Sequence, residues 1–136
     1  QDPEGDKWRS DKIIFGERYH LWDDFTKWFD SERWNWENGS VVLARCFNCH
    51  IDKWWDPEKF NWEYGSPYLA GYCYRYFSKW WDPEKFNWED GSYCLARYCS
   101  DYFTKWWDPE KFDWAEKCFL ETYCQQYKEI WGNNKY

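Results

Sequence analysis

No stretch of about 18 consecutive apolar residues occurs in this 136-residue chain, so no helix is expected to span a membrane. Positive charge is also in short supply. Lys and Arg number 18 against 25 Asp and Glu, giving a formal net charge of -7 and an isoelectric point near 4.9. Such a chain repels phosphate backbones, and its aromatic residues lack the basic groove that would hold a strand against them. Nucleic acid is therefore not an expected partner. Only two histidines are present, His20 and His50. No nucleophile motif, phosphate loop or dinucleotide fingerprint accompanies them. The carboxylates recur as capping residues and leave no acid–base constellation, so the chain is not expected to be an enzyme. A single Cys-x-x-Cys pair falls short of the paired ligands of structural zinc. Asp82, Glu84, Glu89 and Asp90 share one stretch, but a calcium loop needs closely alternating carboxylates and a bidentate glutamate. A capping role for Asp82 accounts better for its recurrence. Methionine is absent altogether.

Aromatic side chains are in excess: 15 Trp, 12 Tyr and 10 Phe. They bury large areas with few rotatable bonds and lend cohesion to a small fold. Mean hydropathy is nonetheless -1.12 and 32% of residues are charged, so a soluble chain with one domain's worth of core is expected.

These aromatics are arranged in a repeat. Lys-Trp-Trp-Asp-Pro-Glu-Lys-Phe-Asn-Trp-Glu runs from Lys53 to Glu63 and recurs from Lys79 to Glu89. It returns from Lys105 with Asp113 in place of the asparagine, and a divergent copy begins at Lys27. Lys27, Lys53, Lys79 and Lys105 stand 26 apart, a period in the range of repeat arrays. Within a copy, Asp56-Pro57-Glu58-Lys59 reads as a helix start, because Asp offers its carboxylate to free amides and Pro suits the first helical position. The short helix Pro57 to Glu63 is expected to stop at Gly65 in a left-handed conformation. Ser66 then caps a longer helix of about 15 residues. Its apolar face carries Leu69, Tyr72, Cys73, Tyr76, Phe77 and Trp80, and the next copy repeats the frame with Leu95, Tyr98, Cys99, Tyr102, Phe103 and Trp106. The last copy drops one residue and its glycine, yet Leu120, Tyr123, Cys124, Tyr127 and Trp131 restore the face. Upstream, Leu21, Phe25, Trp28 and Phe29 have helical spacing. The expectation is an all-α fold: a polar tail at 1–10, then one domain at 11–136. That domain would hold a capping helix at 11–29 and tandem helix-turn-helix repeats at 27–52, 53–78, 79–104 and 105–131. Neither helix of a unit can bury its stripe alone, so the units are expected to stack as a solenoid.

Seven cysteines, Cys46, Cys49, Cys73, Cys94, Cys99, Cys118 and Cys124, point to an oxidising compartment, with disulfides among them and one thiol left over. Asn38-Gly39-Ser40 is a glycosylation sequon, and the start Gln1-Asp2-Pro3 suits a processed secreted chain. Cys46-Phe47-Asn48-Cys49-His50 carries the Cys-x-x-Cys-His pattern of c-type haem attachment, with His20 as a possible second ligand. The other copies lack that motif and the usual methionine ligand is missing, so no cofactor is expected and haem c is the alternative. Trp54, Trp62, Trp80, Trp88, Trp106 and Trp114 read as packing residues. The second tryptophan of each adjacent pair, Trp55, Trp81 and Trp107, lies off the main stripe. These three either meet the short helix or line a surface, and are the candidate binding residues.

Cys94-Leu95-Ala96-Arg97-Tyr98-Cys99 and Cys118-Phe119-Leu120-Glu121-Thr122-Tyr123-Cys124 each place a tyrosine between two cysteines. With the small size and cysteine-rich helices, this resembles the BICYCLE family, secreted proteins of gall-forming aphids named for two cysteine-tyrosine-cysteine motifs. The resemblance covers these two segments and implies an effector delivered into a host, with no catalytic residues to carry over. The expected function is a secreted, non-catalytic interaction or effector protein that binds a protein or carbohydrate partner, which the resemblance implies belongs to a host. The alternatives are a mono-haem electron carrier and a structural protein that self-associates through array ends or the odd cysteine.

Overall fold

The computed structural model describes Phe25 and residues 29–132; the expected tail at 1–10, His20 and nearly all of the expected capping helix lie outside them. Among the described residues the fold is all-helical, with eight α-helices linked by 3-10 turns and no strand. The chain divides into two compact units, Gln1–Gly65 and Ser66–Tyr136. In the first, α1 (Trp36–Cys46) leads through a 3-10 turn, Asn48–His50, to α2 (Ile51–Trp54). Helix α3 (Trp62–Tyr72) crosses the division. The second unit continues with a turn at Tyr74–Tyr76, α4 (Phe77–Trp80), α5 (Trp88–Tyr98), a turn at Ser100–Tyr102 and α6 (Phe103–Trp106). It closes with a turn at Trp114–Glu116, α7 (Lys117–Tyr123), a turn at Gln125–Tyr127 and α8 (Lys128–Trp131).

The helix boundaries differ from those expected, and each difference has a local cause. Asp56-Pro57-Glu58-Lys59 closes a turn rather than opening a helix. The Asp56 carboxylate accepts from the Glu58 amide at 3.0 Å, and its carbonyl accepts from Lys59 and Phe60 at 3.1 and 2.9 Å. The same turn recurs around Asp82 and Asp108. The helices start later, on the side chains of Asn35, Asn61 and Asn87, which accept from the amides of Asn38, Tyr64 and Asp90. Gly65 is not a left-handed stop but an interior residue of α3. Its role is steric: a Cβ there would lie 2.7 Å from Cζ of Phe60, and at Gly91 it would lie 2.6 Å from Cζ of Phe86. Ser66 is likewise inside α3, fully buried, and does not cap it.

The long helix expected after Ser66 breaks at Cys73. The indole nitrogen of Trp80 donates to the Cys73 carbonyl at 2.8 Å, filling an acceptor that helix continuation would have used. Trp54, Trp106 and Trp131 make the same bond, also at 2.8 Å, to the carbonyls of Phe47, Cys99 and Cys124. All four tryptophans are buried.

Buried serines tie successive segments together within each unit. The Ser40 hydroxyl accepts from the Asn61 amide at 2.9 Å in the first unit. In the second, Ser66 accepts from Asn87 at 2.9 Å and Ser92 from Asp113 at 3.0 Å. Around these bonds pack Leu43, Phe47 and Ile51 in the first unit, and Leu69, Phe77, Leu95, Phe103 and Leu120 in the second.

The glycine contact yields a prediction against the usual trend. Alanine in a helix interior is favoured over glycine by up to ~1 kcal/mol. Gly91→Ala is nonetheless expected to destabilise the chain by roughly 1–3 kcal/mol, the cost of overpacking. Phe86 cannot withdraw, because it is wedged against Trp80, Trp81 and Trp88. Urea unfolding of Gly91→Ala, alone and with Phe86→Leu, tests this: the double variant should recover part of the loss, and a neutral single variant would refute the close approach.

Candidate interaction surface

The candidate binding tryptophans are half-buried and lie within aromatic clusters. Trp55 packs against Phe60 at 5.3 Å and edge-on to Trp62 at 5.5 Å. Trp81 stacks on Phe77 at 5.0 Å and meets Trp88 at 5.6 Å, and Trp107 repeats this with Phe103 at 5.1 Å and Trp114 at 5.6 Å. Of the two roles left open for them, packing against the Asp-Pro turn and the start of the next helix is the one their geometry displays.

The Cys-x-x-Cys-His motif spans the end of α1 and the following turn, with Cys46 half-buried and Cys49 exposed. The His50 ring lies nearly parallel to Phe25, centroids 5.2 Å apart and planes 11° apart. In the second unit Tyr102 sits the same way on Phe77 (4.8 Å, 5°), and Tyr127 on Phe103 (4.6 Å, 7°). His50 thus fills a tyrosine's seat in the packing scheme, which accounts for it without iron; His20 lies outside the described residues. Asn38 is exposed on the first turn of α1, but Ser40 of the same sequon is buried, its hydroxyl donating to the Trp36 carbonyl and accepting from Asn61.

All seven cysteines are free thiols in this structure, so none of the expected disulfides is present. The recurring ones, Cys73, Cys99 and Cys124, occupy equivalent buried positions, and two of them face backbone carbonyls. The Cys99 thiol donates to the Ala70 carbonyl at 3.6 Å and the Cys124 thiol to that of Ala96 at 3.5 Å. Burial pushes the thiols of Cys73 and Cys124 up to about 12 and that of Cys94 up to about 11; Cys99 is raised further, again by burial.

One feature of the second unit escaped the sequence reading. Tyr72, Tyr98 and Tyr123, expected on the buried stripe, are exposed at 46%, 39% and 37% and form the last residues of α3, α5 and α7. The Arg97 guanidinium lies 5.0 Å from the Tyr98 ring and 5.7 Å from the Tyr123 ring. Tyr74 stacks on Tyr98 at 6.2 Å, Phe119 on Tyr123 at 6.2 Å, and Tyr93 packs on Phe119 at 5.3 Å. Tyr68 stacks on Tyr72 at 6.1 Å. The recurrence of tyrosine beside each core cysteine was the available signal. Among the described residues no helix is long and apolar enough to cross a membrane.

Comparison with known proteins finds no matching family model, no matching curated protein and no matching solved structure.

The thiol environments predict an order of reactivity. Iodoacetamide should alkylate Cys49 and Cys118, both exposed, in the native chain, while Cys73, Cys94, Cys99 and Cys124 react only after unfolding; peptide mass spectrometry reads this site by site. The same burial sets an alkaline limit. A thiol raised from 9.0 to about 12 keeps its proton when folded and loses it when unfolded, so its stabilising contribution is complete below pH 9 and fades as pH rises toward the folded value. Denaturation midpoints should therefore fall above pH 9, and fall less steeply when Cys73→Ala and Cys124→Ala remove two of these groups.

Proposed function

We propose that the chain is a secreted, non-catalytic interaction protein whose helical repeats stack as a solenoid and present the Tyr72–Tyr98–Tyr123 row, with Arg97, to a protein partner. The observation that carries this reading is the row itself: phenol rings held in place by Tyr68, Tyr74 and Phe119, two of them beside one guanidinium, yet a third or more exposed. Tyrosine offers large, rigid, amphipathic contact area at a small cost in side-chain entropy, and Arg adds directional donors, which is why both are favoured at binding hot spots. The arrangement favours a protein over a carbohydrate partner. A sugar needs an open ring face to stack on, whereas Tyr98 and Tyr123 each have Arg97 over the ring and a second ring, Tyr74 or Phe119, stacked beside it. Partly exposed phenols beside a guanidinium suit the mixed apolar and hydrogen-bonding contacts of a protein surface.

The resemblance to secreted BICYCLE effectors supports the same reading, because the tyrosines of its two motifs are Tyr98 and Tyr123, the pair that flanks Arg97. Secretion would place the chain in an oxidising compartment, where exposed Cys49 and Cys118 are the thiols an oxidant or a second molecule reaches first.

Peptides selected on the native chain from a random display library provide the probe. Their affinity should fall at least about tenfold, ~1.4 kcal/mol, in Arg97→Ala and Tyr98→Ala. It should be unchanged in Tyr64→Ser, a tyrosine 65% exposed but outside the row. Binders indifferent to the row, or saturable binding to a glycan panel that requires it, would overturn the proposal.

A further inference from the structure

In the second unit each segment seats the next through three fittings. Ser66 and Ser92 accept the amides of Asn87 and Asp113. Ala70 and Ala96, both fully buried, take the thiols of Cys99 and Cys124 on their carbonyls. Phe77 and Phe103, also buried, receive the rings of Tyr102 and Tyr127. The fourth segment has the inserting half of every fitting, namely Asp113, Cys124 and Tyr127. It has none of the receiving halves. Aligned on Leu95 and Leu120, it is one residue short and carries Lys117 where the glycine–serine pair stands, so the receiving hydroxyl is gone. Where Ala96 stands it has Glu121, and where Phe103 stands it has Lys128, and both are exposed.

We propose that this outer face of the fourth segment is a closed end, on which no further copy of the 26-residue unit stacks, whether from the same chain or from another molecule. Three independent changes fall on the three receiving positions. Drift at an unused surface would not select them, and all three replacements bring full charges. A further copy would have to bury the Glu121 carboxylate and the Lys128 ammonium where the earlier segments bury a methyl group and a phenyl ring. It would also leave its own first helix amide without the serine acceptor. Polar outer faces are what end repeat stacks in general. This inference stands apart from the binding role of the tyrosines. It removes this face, though no other surface, from the routes by which the protein could self-associate.

The test appends one copy in cis. The chain is continued from Trp131 with the sequence of residues 81–106, once on the natural background and once with Glu121→Ala, Lys128→Phe and Lys117 replaced by glycine–serine. Limited proteolysis followed by intact mass is the readout. On the natural background the added copy should be lost and the mass should fall to that of the chain ending near Trp131; on the opened background it should survive with the rest. Survival on both backgrounds overturns the closed end, and so does loss on both while the parent segments remain protected. If the three-site background fails to fold, Glu121→Ala with Lys128→Phe alone serves as the opened chain, with partial protection expected and none refuting the assignment.

Discussion

A single serine hydroxyl in each of the first three segments, sealed away from water, holds successive parts of each unit in register. Ser92 donates to the Trp88 carbonyl within its own helix and accepts the Asp113 amide 21 residues further on. That amide lies at a helix start, where backbone donors lack intrahelical partners and must find one elsewhere. Alanine in its place would leave the amide unpaired in a buried site. The neighbouring features fall into place around this bond. Gly91, next to Ser92, admits the Phe86 ring of its own segment's turn, and that turn delivers Asn87, whose amide Ser66 of the preceding segment holds. The indole at the far end of the segment then fixes the bend that brings the chain back.

The all-helical class was readable from sequence, as were the 26-residue period and the leucine, phenylalanine and first-tryptophan core, because burial follows apolar residues at a regular interval. The helix boundaries were not, because their signals are ambiguous. Asp-Pro serves equally a helix start and a closed turn, and Gly serves equally a left-handed stop and a site of close approach. Only the position of Phe60 over Gly65 and of Phe86 over Gly91 decides the second choice, and that is tertiary information. The tyrosines were misplaced for a related reason. A periodicity of 3.6 carried unbroken through Cys73 puts Tyr72 in line with Trp80, but the break after Tyr72 shifts the phase, leaving Cys73, Phe77 and Trp80 inside and Tyr72 outside.

The same register explains why the most conspicuous sequence motif proves the least distinctive in space. Cys46 stands at the position of Tyr72, Tyr98 and Tyr123, and His50 at the position of Tyr76, Tyr102 and Tyr127. The first segment thus carries smaller or nitrogen-bearing side chains at two places where the later ones carry phenols. The exposed tyrosine row accordingly occupies the later segments. A motif recognised by spacing alone is here a variant of the packing pattern, and the surface that departs from pure packing is built from residues too common to attract notice.

The tryptophan clusters have an optical consequence. Neighbouring indoles stand 5.5–6.0 Å apart at steep angles, as in Trp55–Trp62, Trp80–Trp81 and Trp107–Trp114. At such separations their electronic transitions are shared between rings rather than confined to one. Skewed pairs of this kind rotate polarised light in the far ultraviolet, where backbone ellipticity is ordinarily taken as a measure of helix. Emission from any one indole is likewise passed among its neighbours and loses its polarisation before the molecule has turned. The chain therefore carries an intrinsic chromophore array whose spectrum reports the integrity of the ring clusters, and its ellipticity is not a plain count of helical residues.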